Sequence, residues 1–264
     1  MENVILIHNW NQLKKTSSNF SRVYFGSEFC DRLLPSKQDI EKLIILKKRS
    51  GINFSIVTPY INQRNFFKLV NLLNYLNKEL PKVEIIVNDW GVFNIISERF
   101  NNLIIVLGRV LSKQKRGFFV PLAHKDILID SIKIKCSEKE YLKSSILQND
   151  YLMKYIKRKG IYRIGLDNLK QGIIINKKVF CIDLYYPYIY LATSSYCLAT
   201  SLNKRVKLLT KINKCGKICK KENMRKFKIC GENVYLFGNT QFYINNEFGR
   251  VDIKKIDRLI NVLL

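Results

Sequence analysis

The stretch INFSIVTPYINQRNFFKLVNLLNYLNKELPKVEIIVND (Ile52–Asp89) decides the fold. Its first seven residues, INFSIVT, form a nearly continuous apolar run of strand length. A long segment follows in which Phe66, Leu69, Val70, Leu73 and Leu76 recur at helical spacing, and KVEIIVN (Lys82–Asn88) is a second apolar strand. A strand apolar on both faces, joined through an amphipathic helix to another of the same kind, is the signature of a parallel sheet covered on both sides.

The pattern repeats in both directions. Upstream, RVYFG (Arg22–Gly26) reads as a strand. Ser36, with Asp39 three positions on, caps a helix whose Ile40, Leu43 and Ile44 share one face, and Gly51 closes it. Downstream, a short helix over about 91–99 precedes the strand NLIIVLG (Asn102–Gly108). A helix over about 147–159 leads to the strands IYRIGLD (Ile161–Asp167) and KVFCID (Lys178–Asp183) and to YIYLAT (Tyr188–Thr193). This many β-α units favour closure over an open sheet. The expected fold is α/β, a TIM-type barrel, whole or in an incomplete or distorted form. It should be a single domain over 1–264 in which residues 195–264 form a C-terminal cysteine-bearing segment.

Composition narrows the function classes. The N-terminus MENVILIHNW has no basic n-region, and apolar runs such as Leu103–Leu107 are too short to span a bilayer, so a cytoplasmic protein without a membrane span is expected. Lys and Arg outnumber Asp and Glu by 46 to 21, a formal charge of +25. That surplus suits a polyanion such as RNA, or else reflects the Lys-, Ile- and Asn-rich usage of an AT-rich genome. The runs Lys113–Arg116 and Lys217–Arg225 concentrate it. The two histidines, His8 and His124, have no nucleophile motif beside them, and no nucleophile elbow, phosphate-binding glycine loop or H-E-x-x-H helix is present. Hydrolysis, nucleotide binding and zincin chemistry are therefore disfavoured.

In parallel barrels the chemistry gathers where the strands end. Those ends here are Thr58-Pro59-Tyr60, Asn88-Asp89-Trp90, Gly108-Arg109 and Asp167-Asn168. They outline a mouth with Asp89, Arg109 and Asp167 as catalytic candidates and Tyr60, Asn88 and Asn168 as substrate-binding candidates. Tyr185, Tyr186, Tyr188 and Tyr190 suit packing better than ring stacking with a substrate.

Seven cysteines, an odd number, argue against a disulfide framework and leave metal binding, redox chemistry or burial. Cys215-x₃-Cys219 brings two thiols within reach of one group, with Cys197 upstream and Cys30 far upstream in GSEFCDR. Four soft ligands suit a structural zinc or an iron–sulfur cluster. Cys136 and Cys181 read as core side chains, and Cys230 as the substitute ligand.

Taken together, GSEFC, VNDWG, LGR, RIGLDN and SYCLATS…CGKIC…GNTQFY resemble the collagenase-like U-thirty-two peptidase family over nearly the whole chain. The likeness is greatest to its accessory proteins of oxygen-independent ubiquinone hydroxylation. The resemblance implies a TIM-like barrel and a [4Fe–4S] cluster on Cys30, Cys197, Cys215 and Cys219. It also implies hydroxylation of a quinone precursor or of an RNA base without molecular oxygen, prephenate-dependent in some branches, and a sister subunit of the same family as partner. The alternatives are a noncatalytic iron–sulfur or zinc scaffold that binds RNA or a protein, and a peptidase, for which the hydrolase residues are missing.

Overall fold

A computed structural model describes residues 1–14, 16, 19–116, 140–175, 179–202, 215, 217, 219, 224–229 and 231–264. His124, Cys136 and Cys230 lie outside the described residues, as does most of the basic run 217–225.

Eight parallel strands close a barrel: β1 (Glu2–Ile7), β2 (Arg22–Gly26), β3 (Asn53–Thr58), β4 (Glu84–Val87), β5 (Ile104–Leu107), β6 (Arg163–Asp167), β7 (Cys181–Tyr186) and, from the far end of the chain, β12 (Arg258–Val262). β12 pairs with both β7 and β1, which completes the wall. The barrel is thus whole, and residues 195–264 supply its eighth strand as well as the cysteines. Neither β1 nor β12 is among the strands expected from the sequence. YIYLAT, expected to continue the β-α series, instead forms β8 (Tyr188–Thr193). It opens a separate antiparallel sheet with β9 (Arg225–Ile229), β10 (Glu232–Phe237) and β11 (Thr240–Ile244), in the order β8-β11-β10-β9. This sheet is an excursion between barrel strands β7 and β12, so it starts from the C-terminal mouth.

The connecting helices include α1 (Trp10–Lys14), α2 (Lys37–Ser50), α3 (Gln63–Glu79), α4 (Trp90–Arg99) and α5 (Asp150–Arg158), and a short α6 (Leu198–Leu202) follows β8. The expected capping box opens α2: Asp39 N–H donates to Ser36 Oγ at 3.2 Å, and Ser36 N–H donates to Asp39 Oδ2 at 2.9 Å. Gly51, at φ +70°, ends that helix in the left-handed region. The helix expected over 147–159 begins instead at Asp150, because the Asn149 side chain accepts from Leu152 N–H and caps it there.

Alternation along the strands separates two cores. Ile5, Val23, Ile56, Ile85, Leu107 and Ile164 face outward and pack with Leu43, Leu69, Leu73, Phe93 and Ile96 of the helices. Val4, Tyr24, Val57, Ile86, Val106, Tyr185 and Ile260 fill the inside. A layer of charge lies at the N-terminal end of the barrel. Arg22 pairs with Glu2 at 2.9 Å, Arg258 with Glu84 at 2.8 Å and Arg163 with Asp183 at 2.7 Å, and Tyr24 donates to Asp183. Three cations meet three carboxylates there, leaving the opposite end for a site. Among the described residues no helix is long and apolar enough to cross a membrane.

Candidate metal centre at the barrel mouth

β2 ends at Gly26, whose φ of +137° and close approach leave no room for a side chain: a Cβ there would lie 2.3 Å from the Val57 carbonyl oxygen. The chain can therefore turn sharply across the mouth. Ser27 Oγ accepts from Cys30 N–H at 3.2 Å, which fixes the loop, and Cys30 then leads into a 3₁₀ turn over Asp31–Leu33. Cys197 stands just before α6, and its sulfur accepts from Thr200 Oγ1 at 3.2 Å. The Arg32 guanidinium neighbours Cys215, whose side chain favours its charged form.

These segments enclose a cavity of about 40 Å³ whose wall includes all four of Cys30, Cys197, Cys215 and Cys219. None of them is in a disulfide. Burial pushes the Cys219 thiol up to about 12, and the neighbouring Cys30, Cys197 and Cys215 add to the shift. Cys30 is raised as well, by burial first and then, against hydrogen bonding from Arg32, by Asp31, Cys215 and Cys197. Thiols that resist ionisation because they are buried first and crowd one another second are thiols whose charge a bound cation would offset. Among the described residues no three His, Cys, Asp or Glu side chains are grouped tightly enough to hold one metal ion. The four cysteines instead line one shared space.

The rim residues divide. Arg109 and Asp167 are fully buried and joined at 2.8 Å. Arg109 also forms a forked pair with Glu28, Nε lying 2.9 and 3.0 Å from its two oxygens, and donates to the Tyr188 carbonyl at 2.8 Å. The second oxygen of Asp167 takes Arg116 at 2.7 Å. Two guanidiniums and two carboxylates thus close into a neutral group, boxed by the rings of Tyr185, 4.6 Å from Arg109, and Tyr190, 4.1 Å from Arg116. Burial opposes the charge on Arg109, but Glu28 and Asp167 outweigh it and hold that guanidinium more firmly protonated than usual. Burial wins at Glu28, whose carboxyl lies above its ordinary value.

Asn88 is buried beside this group, donating to the Thr58 carbonyl at 3.0 Å and accepting from Val110 N–H at 3.3 Å. Asp89 caps α4 by accepting from Val92 N–H at 2.9 Å. Asn168 is tied to the Glu247 carbonyl, and Tyr60 is 59% exposed. Of the six rim candidates, Arg109 alone reaches the wall of the thiol cavity. All four tyrosines pack: Tyr185 inside the barrel, Tyr186 on Phe248, Tyr188 on Tyr235 and Tyr190 on Phe29. Cys181, half-buried at the start of β7, does not line the cavity.

Three residues that the sequence reading did not single out as site members belong to this wall: Glu28, Arg32 and Asn239. Glu28 and Arg32 flank Cys30 inside GSEFCDR, and that proximity was the available signal. Asn239 follows Gly238 in a hairpin, where Gly-Asn reads as turn chemistry. His8, 6% exposed and 4.8 Å from the Phe237 ring, lines the cavity from the end of β1. Comparison with protein-family models, with curated proteins and with solved structures finds no match for this chain.

Proposed function

We propose that this chain binds a [4Fe–4S] cluster through Cys30, Cys197, Cys215 and Cys219 and works, as an enzyme or as a subunit beside a sister chain, in oxygen-independent hydroxylation of a quinone precursor or an RNA base. The observation that carries the reading is the convergence on one cavity of four thiols from opposite ends of the chain. The likeness of GSEFC, VNDWG and SYCLATS…CGKIC to the U-thirty-two family supports the choice of cluster over zinc and of hydroxylation over peptidase chemistry. When bound, such a cluster supplies one-electron redox chemistry. The chain's own residues would hold it: the Arg32 guanidinium stands beside Cys215, and Arg109 braces the Cys30 loop through Glu28.

A second reading, a noncatalytic cluster scaffold that binds RNA or a partner, is favoured by one feature. Asp89 is spent on a helix cap, and Arg109 and Asp167 saturate each other and their neighbours.

The test is complementation, under anoxic growth, of a host lacking its own family member, with quinones and modified nucleosides measured together. On the enzyme reading the wild type restores one product class and Cys219→Ala restores none. Restoration of neither class by the wild type would favour the scaffold.

A further inference from the structure

We infer that Asn239 is the positioning residue that assembles the thiol cavity, holding the Cys30 and Cys197 loops together before any cofactor arrives. Its value to the cell rests on the cofactor reading above, whereas its geometry does not. One Nδ2 donates to the Phe29 carbonyl at 2.8 Å, next to Cys30, and to the Ser194 carbonyl at 2.7 Å, on the approach to Cys197. Those partners lie 210 and 45 positions away in sequence. The backbone of the same turn adds more: Ser194 N–H donates to the Asn239 carbonyl at 3.1 Å, and Ala199 N–H to the Gly238 carbonyl at 3.0 Å. Cys219 is close as well, its Cβ 3.8 Å from where a Gly238 side chain would begin. The turn between β10 and β11 is therefore the common neighbour of three cysteine segments.

The hairpin does not need an Asn here for its backbone, because Gly238, at φ +60°, takes the left-handed position and Asn239 does not. It does not need both amide hydrogens aimed at two distant loops. A carboxamide of this length offers two donors on one nitrogen; Asp offers none when ionised, Ser offers one, and Gln adds a methylene. Oδ1 is used as well, accepting from Thr240 Oγ1 at 3.1 Å, which fixes which end of the amide faces the loops. Groups that orient ligands in this way typically change metal affinity by about 10–100-fold when removed.

The experiment uses the full-length, metal-free chain and dibromobimane, a reagent that bridges neighbouring thiols, with bridged peptides mapped by mass spectrometry. Wild type should bridge Cys30 to one of Cys197, Cys215 and Cys219. In Asn239→Asp that bridging should fall about tenfold, while single alkylation of Cys30 persists and the circular dichroism and Tm of the barrel hold. Unchanged bridging, or global unfolding of Asn239→Asp, would overturn the inference; in the second case Asn239 would be a folding residue. A parallel cobalt(II) titration should show about 10–100-fold weaker thiolate binding in the variant. If wild type bound neither cobalt nor iron while bridging still depended on Asn239, the cofactor reading would fall and the positioning role would stand.

Discussion

Replacing Arg109 by Met tests how the mouth is held together. The side chain is fully buried and satisfies Glu28 through a forked pair, Asp167 at 2.8 Å and the Tyr188 carbonyl at 2.8 Å. Methionine keeps a long side chain beside the Tyr185 ring but removes the guanidinium that lies 4.6 Å over it, and with it every donor. Asp167 would still hold Arg116 at 2.7 Å, so the group that loses its directly bonded cation is Glu28, 2% exposed and left with the more distant charge of Arg116. Breaking one side of a buried pair costs about 3–5 kcal/mol. For a chain of this size that is a fall in Tm of roughly 6–20 °C. Adding Glu28→Leu removes the stranded charge, so the double variant should recover most of the loss, with a coupling of at least about 2 kcal/mol in the cycle. Denaturant unfolding followed by circular dichroism reads all four corners. A loss below about 1 kcal/mol for Arg109→Met, or single losses that simply add, would refute the reasoning.

Gly26→Ala should cost about 3 kcal/mol or more, because its Cβ meets backbone that cannot yield, whereas Gly51→Ala, with open space around it, should cost about 1 kcal/mol; paired Tm measurements separate them. Burial alone would raise the Glu84 carboxyl, but Arg258 and Arg22 outweigh it and hold it below its ordinary 4.5. Its stabilising contribution is therefore full above that pH and is lost as pH falls through the lowered folded value, so Glu84→Gln should flatten the acid limb of a Tm-against-pH curve. If the +25 charge serves RNA, affinity should fall with salt by about 0.7–0.9 log units per decade for each phosphate contact, and a shallow slope in a filter-binding series would return the charge to sequence drift.

The barrel was legible where strands are buried on both faces: INFSIVT, KVEIIVN and NLIIVLG carry the apolar run that only a covered parallel sheet requires. β9, RKFKI, was not legible, because its exposed lysines alternate with half-buried residues and its pairing with β10 is decided by tertiary contact. β12 escaped for a related reason. Its Arg258 points into the barrel, where Glu84 and Glu2 neutralise it, and no local pattern shows that. The four cysteines that line one cavity could be picked out in advance because thiols are visible as a residue type, whatever they turn out to hold. The ion group was half visible: Arg109 and Asp167 sit at strand ends, while Glu28 became a member only when a contact spanning 81 positions closed. Asn239 acts through backbone carbonyls, which no side-chain motif records.

The most direct test of the central claim is the iron and acid-labile sulfide content of the chain purified without oxygen, read with its visible and electron paramagnetic resonance spectra. The cluster reading expects about four of each per chain and a broad visible absorption that dithionite bleaches. Cys30→Ala, Cys197→Ala, Cys215→Ala and Cys219→Ala should each abolish it, and Cys181→Ser should leave it intact. Stoichiometric zinc with no sulfide, or iron retained after loss of any of the four thiols, would contradict it.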